Sequence, residues 1–311
     1  MVTEMQLRKR LADGELIETA AEMTPAYRQQ LLRMILIAGD TEFMSVPFLY
    51  QYFDTDMPSR YLRQVVAVIQ DELGHAQIDY RLAEDLGMPV EQLIYERDLS
   101  EFRYPYMFDM PVENWAEAAV VEALGEYAGG VLVTDVLEHT SYAPWRRALT
   151  KTLVEENFHS RFGKAVLTDV CSTADGKRAA QRALDWQFPL FMEWLGPADT
   201  NRTHQTAIQN DYRLKGHGND ELRQKLLDFA VPFLNSLGLE VPAHHDKDRG
   251  EYVLDFPFPC HFAPEEKKWD FSRPVEWSAV FDRWKARGPD GRKNLALVRQ
   301  GYRGLRKLED A

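Results

Sequence analysis

The chain has 311 residues, 45% of them hydrophobic, and its 49 acids against 37 bases leave a formal net charge of −12. That length and apolar content support a sizeable core in one large or two small domains, while the negative balance argues against a general role on nucleic acid or anionic membranes. Two cysteines, Cys171 and Cys260, stand too far apart in the chain for a zinc ribbon or a disulfide framework. With no apolar run of about 18 residues and a charged N-terminus lacking a signal-peptide core, the expectation is a soluble, cytoplasmic protein.

Long segments carry helical periodicity with few breakers. Leu31, Leu32, Met34, Ile35, Ile37, Phe43 and Met44 recur at three- and four-residue steps, predicting a first helix over about 27–52. A second is predicted from Pro58-Ser59 to about Leu86, stopped by Gly87 and Pro89. A third runs from about Val112 to His139 and a fourth from Ala143-Pro144 to about Cys171; the short break between them predicts antiparallel packing. Shorter helices follow near 176–196 and 219–237. Beyond Gly238 the texture changes to Pro, His and aromatic residues, with a strand-like alternation from Glu251 to Phe256 and a helical piece over about 275–308. The predicted organisation is an all-α domain, 1–237, and an irregular C-terminal extension, 238–311, that wraps the domain or a partner.

Two helices carry Glu-x-x-His: Glu72 with His75, and Glu156 with His159. A spacing of i, i+3 puts carboxylate and imidazole on one helix face, but a lone copy is a weak signal. Here the pattern is doubled. Glu42 precedes Glu72 by 30 residues, Glu126 precedes Glu156 by 30, and every member of the first set lies 84 residues before its counterpart. Even the preceding acids, Asp71 and Glu155, obey the shift. A four-helix bundle with pseudo-twofold symmetry projects Glu42, Glu72, His75, Glu126, Glu156 and His159 inward at one level. Four inward carboxylates are costly without cations, and two divalent ions neutralise them. Oxygen-rich ligation with one imidazole per ion suits iron, with manganese or a mixed pair also compatible, rather than structural zinc. Asp71 and Glu155 are candidates to accept the free N–H of a ligand histidine. The alternative, solvated helix faces, fits poorly with the apolar neighbours Ile69, Leu73, Ala76, Leu153, Val154 and Phe158.

Glu122, one turn before Glu126, reads as exposed or capping rather than site-facing. Gly125, Gly129 and Gly130 thin the third helix, either for a substrate or for close helix packing. Phe43, Met44, Phe48, Leu73 and Leu124 read as bundle core, with an apolar pocket as the alternative. His244, His245 and His261 lack acids at ligand spacing and read as loop histidines. Between Arg283 and Lys307 nine bases face one acid, Asp290. Such a run is a solvated face, or else a dock for an acidic partner or a phosphate-bearing substrate.

The ligand set resembles the carboxylate-bridged diiron pattern of ferritin-like oxygenases. Beyond it, Met23-Thr-Pro-Ala-Tyr-Arg28, Gln70-Asp-Glu-Leu-Gly-His75, Thr140-Ser-Tyr-Ala-Pro144, Glu155-Glu-Asn-Phe-His159 and Asn219-Asp-Glu-Leu-Arg-Gln224 resemble the catalytic members of the phenylacetyl-CoA epoxidase family. The run Ile37-Ala-Gly-Asp-Thr-Glu42 is similar to benzoyl-CoA epoxidase, a relative. The resemblance implies a ferritin-like bundle holding two irons that inserts one oxygen atom of O2 into the ring of an aromatic acyl-CoA. It also implies electrons from a separate NAD(P)H reductase with flavin and an iron–sulfur cluster, and a metal-free helical partner protein; the alternative assembly is a homodimer. A carrier-bound or other non-CoA substrate, or ferroxidase action, are the competing functions. The family tends to carry an acid where Leu49 stands, a lysine where Val68 stands and an aspartate where Glu126 stands. The two neutral residues imply a more apolar mouth.

Overall fold

The computed structural model describes residues 2–201 and 204–309. Its first helix, α1 (Glu4–Ala12), is followed by the bundle helices α2 (Pro25–Tyr50), α3 (Leu62–Asp85), α4 (Trp115–His139) and α5 (Ala143–Val170). Then come α6 (Ala174–Trp194), α7 (His204–Asp211) and α8 (Asn219–Ser236). Two antiparallel hairpins pair β1 (Ala243–Asp246) with β2 (Glu251–Leu254), and β3 (Cys260–Ala263) with β4 (Lys268–Pro274). The last helices are α9 (Trp277–Ala286) and α10 (Gly291–Glu309). This is the all-α bundle that the periodicity predicts, consistent with the ferritin-like fold that the resemblance implies. Among the described residues, no helix is long and apolar enough to cross a membrane.

Local chemistry sets the boundaries. Thr24 caps α2 by accepting the Tyr27 N–H, with Pro25 in the first turn, where a missing N–H costs nothing. Asn114 accepts the Glu117 N–H at the start of α4. Helix α3 begins four residues later than the Pro58 signal predicts, because 59–61 form a separate tight turn.

The bundle is built from two hairpins. Helix α2 packs along α3 and α4 along α5; α3 meets α5 between them, and α2 and α4 stand apart. Helix α4 is apolar on all sides because α5, α6 and α8 all cover it. Gly163 of α5 lets the two helices close up, since a Cβ there would collide with the backbone at Glu122.

The basic run of the C-terminal region divides: Lys285, Arg292, Lys293 and Arg303 are exposed, as on a solvated face, while three arginines turn inward. Arg283 pairs with buried Glu193, and Arg287 lies 2.7 Å from buried Asp109. Arg299 donates to the carbonyls of Ile94 (2.6 Å) and Arg97 (2.7 Å). These contacts bolt α9 and α10 to the helical domain. The side chains of Arg306 and Lys307 lie outside the described residues.

Arg287 adopts φ 64, a left-handed conformation that costs a non-glycine residue about 1–3 kcal/mol and persists only where its surroundings hold it. Asp109 also accepts Tyr104 Oη (2.6 Å) and the Gly288 N–H (2.9 Å). Replacing Arg287 with Met strands that carboxylate in the core. Denaturant unfolding is expected to show a loss of about 3–5 kcal/mol, and an unchanged midpoint would refute the bolt.

Candidate metal centre

The symmetry in sequence becomes symmetry in space. Glu42 comes from α2, Glu72 and His75 from α3, Glu126 from α4, and Glu156 and His159 from α5. Ligand-type atoms of Glu42, Glu72, His75 and Glu156 lie within 4.8 Å of one another, as do those of Glu72, Glu126 and His159. The two groups share Glu72, so they form one continuous centre. His159 Nδ1 is 3.2 Å from Glu72 Oε1 and 3.4 Å from Glu126 Oε2. His75 Nδ1 is 3.5 Å from Glu156 Oε1 and 3.9 Å from Glu42 Oε2.

The outer contacts cross between hairpins. His75 Nε2 donates to Glu155 of α5 (3.0 Å), and His159 Nε2 donates to Asp71 of α3 (3.2 Å). With each Nε2 engaged outward, each Nδ1 faces into the centre. Both Nδ1 atoms are buried and lack a hydrogen-bond partner. Such orphans are rare in folded proteins. Two nitrogen lone pairs among four carboxylates form a donor set that fits two divalent cations with N/O preferences.

Electrostatics point the same way. Burial, reinforced by Glu72, raises the Glu42 pKa well above the usual carboxylate range, and burial with Glu72 and Glu42 does the same for Glu156. Burial also raises Glu126, against the pull of the nearby His159. Glu72 goes the other way: burial opposes its charge, but Glu42 and the nearby His159 favour it. Without cations, protons have to be shared among these groups.

Several neighbours escape sequence reasoning. Glu122 is neither exposed nor capping: it is 1% exposed, beside Tyr52, and burial together with Glu126 raises its pKa. Ser45 Oγ donates to Glu72 Oε2 (3.1 Å); its place three residues after Glu42 was the available signal. Asp79, one turn beyond His75, is buried, accepts Trp145 Nε1 (2.9 Å) and is pushed by burial up to about 7.

The centre is not equally covered on all sides. Leu49, Val68 and Tyr52 are buried. Glu42 on α2 and Glu126 on α4 keep 14% and 15% of their side-chain surface exposed, against 6% for Glu72 and 4% for Glu156. One and two turns from these carboxylates, Ala38 and Met34 on α2 and Gly130 and Val133 on α4 are half-buried. Phe43, Met44, Phe48 and Leu124 are core, while Phe43 and half-buried Leu73 line a small separate cavity with Tyr80 and Tyr302.

Among the described residues a third cluster, Asp135, His139 and His217, also has ligand spacing. Its Nδ1 atoms are satisfied, however. Asp135 takes the His217 Nδ1 and the backbone N–H groups of Gly216 and His217, and His139 Nδ1 bonds the Asp135 carbonyl. This cluster fastens a turn onto α4. His244 pairs with Asp255 on an exposed hairpin, and His261 belongs to no such group.

Two sequence comparisons place the chain among known proteins. The model of a family described as phenylacetic acid catabolic protein matches residues 3–262, ending inside β3. One of the subunits of the 1,2-phenylacetyl-CoA epoxidase of Escherichia coli (strain K12), the one designated A, is 32% identical over 260 residues, covering 81% of this chain and 82% of that protein. The matched stretch contains all four bundle helices and every residue of the centre, and the chain belongs to the phenylacetic acid catabolic protein family.

Proposed function

We propose that this chain is the catalytic subunit of an O2-dependent monooxygenase that epoxidises the ring of an aromatic acyl-CoA, phenylacetyl-CoA or a close relative. The observation that carries the reading is the pair of buried, partnerless Nδ1 atoms facing four carboxylates. Glu42, Glu72, His75, Glu126, Glu156 and His159 would hold two iron ions, manganese being the alternative metal. When bound, such a pair supplies O2 activation, with one oxygen atom going to the substrate and the other leaving as water.

The chain's own residues do the rest. Asp71 and Glu155 hold the histidine N–H groups, fixing ring orientation and leaving Nδ1 free. Buried Leu49, Val68 and Tyr52 help to exclude water from the bundle. The half-buried, apolar Met34, Ala38, Gly130 and Val133 offer the ring a path to Glu42 and Glu126. The electrons come from an NAD(P)H reductase carrying flavin and an iron–sulfur cluster. A second helical protein completes the assembly, in keeping with the relative's being one of several subunits by its designation. The soluble co-substrates imply a cytoplasmic location.

The test combines Fe(II)-loaded protein, reductase, NADPH, an aromatic acyl-CoA and isotopically labelled dioxygen. Mass spectrometry is expected to find one labelled oxygen atom in the acyl product, and none with Glu72→Ala. Equal product from that variant would sink the ligand assignment.

A further inference from the structure

We propose that Gly129 is a positioning residue: the Cβ it lacks is the clearance in which Glu156 seats its outer oxygen. This rests on the dimetal reading above and deepens it. Glu156 sits near both histidines. Its Oε1 lies 3.5 Å from His75 Nδ1 and 3.9 Å from His159 Nδ1, so one oxygen comes within 4 Å of both imidazole nitrogens. Its other oxygen turns away, toward α4. A Cβ built on Gly129 would lie 3.2 Å from Glu156 Oε2, closer than side-chain packing ordinarily allows.

Gly129 and Gly130 stand side by side inside α4, where glycine weakens a helix relative to alanine. The two are not equivalent. A Cβ on Gly130 would meet nothing within 4 Å. A Cβ on Gly125 would make ordinary contact with Phe191 at 3.4 Å. Neither Gly125 nor Gly130 touches a carboxylate. Gly129 is therefore the α4 glycine whose replacement acts on the centre, and Glu156 is the residue it acts on. With alanine there, Oε2 is driven toward the two histidines and the carboxylate loses room to lean back when a second ion enters. Close helix packing, the other reading of these glycines, belongs instead to Gly163.

Anaerobic titration of the chelator-stripped full chain with Co(II), followed by absorption and by metal content after desalting, tests this without turnover. Wild type is expected to take up two ions per chain. Gly129→Ala is expected to bind the second about tenfold more weakly, the lower end of what outer partners of metal ligands contribute. Gly130→Ala serves as the control and titrates like wild type. Both alanine variants are expected to melt at or above the wild-type temperature when metal-free, which separates the effect from misfolding. Rescue supplies the sharper reading. Glu156→Asp withdraws the carboxylate by one methylene, so adding Gly129→Ala to it is expected to cost nothing further. Additive losses in the double variant, or an unchanged titration in Gly129→Ala, overturn the proposal. A wild-type chain that takes up no cobalt overturns the dimetal reading and this inference with it.

Discussion

Glu156→Gln protein is expected to fold, to melt higher than wild type when both are stripped of metal, and to lose more than about a hundredfold in turnover. The two effects have one origin. In the absence of cations Glu156 is buried against Glu72 and Glu42, whose charges add to burial in pushing its pKa up. An amide of the same shape keeps the packing and removes one of those repulsions. The expected gain is about 1–3 kcal/mol, read from thermal unfolding in chelator. The same change removes a charged donor from the middle of the metal centre. Loss of an outer partner alone costs about 10–100-fold, so loss of a direct donor sets the floor for turnover. Elemental analysis is expected to show fewer than two ions per chain. Glu122→Gln provides the contrast: its carboxyl is equally buried and raised, but it belongs to neither ligand group. It should stabilise the stripped protein while leaving metal content intact. If Glu156→Gln keeps two ions and normal turnover, the assignment of Glu156 fails. A site that destabilises its own fold until loaded is the ordinary trade between stability and function.

The centre was legible in the sequence because its six members obey one shift along the chain, and because helices are rigid enough to turn spacing into direction. Glu122 was not legible, for a reason in α4 itself. That helix is apolar on every side, so its sequence gives no phase from which to decide which way a carboxylate points. The answer depends on α5, α6 and α8 closing around it and on Tyr52 arriving from the end of α2. Helix α1 was missed because only Leu7 and Leu11 mark its buried face, although Thr3 and Gln6 form a capping box that announces it. Helix α7 is short and offered little periodicity. In the C-terminal region the strand signal at Glu251 was real, but its partner, β1, and the second hairpin depend on pairings that composition does not encode. The basic run misled in part for a similar reason. Arg283 and Arg287 look like surface charge until Glu193 and Asp109, far back in the chain, are seen to meet them.

Metal removal and pH are expected to act together. Burial holds Asp79 at about 7, against an ordinary value of 3.8, and holds Glu193 at about 7 despite Arg283. Glu42, Glu126 and Glu156 are raised as well, chiefly by burial. A carboxyl whose folded pKa lies above its unfolded value binds more protons folded than unfolded throughout the interval between them. Its stabilising contribution is complete below about pH 4 and is lost as pH rises through the folded value. His159 adds to the trend: burial opposes its proton, but Glu126 and Glu72 hold its pKa above the usual imidazole range, so its contribution also fades as pH rises. The groups shifted downward, such as Glu22 and Glu155, change only in more acid solution. Stripped protein is therefore expected to lose on the order of 5–10 kcal/mol between pH 5 and 8, a fall of roughly 8–15 °C in melting temperature for a chain of this size. Bound divalent ions replace the shared protons, so the loaded protein should show a shallower fall, set mainly by Asp79 and Glu193. At a hundredfold excess over the dissociation constant, metal adds about 2.7 kcal/mol per site, and its effect should grow from pH 5 to 8. Metal uptake at pH 7 should also release protons, which calorimetry in buffers of different ionisation enthalpy detects directly. Stripped protein that becomes more stable over this interval, or metal binding that releases no protons, would show that the four carboxylates are not crowded around a shared cation site.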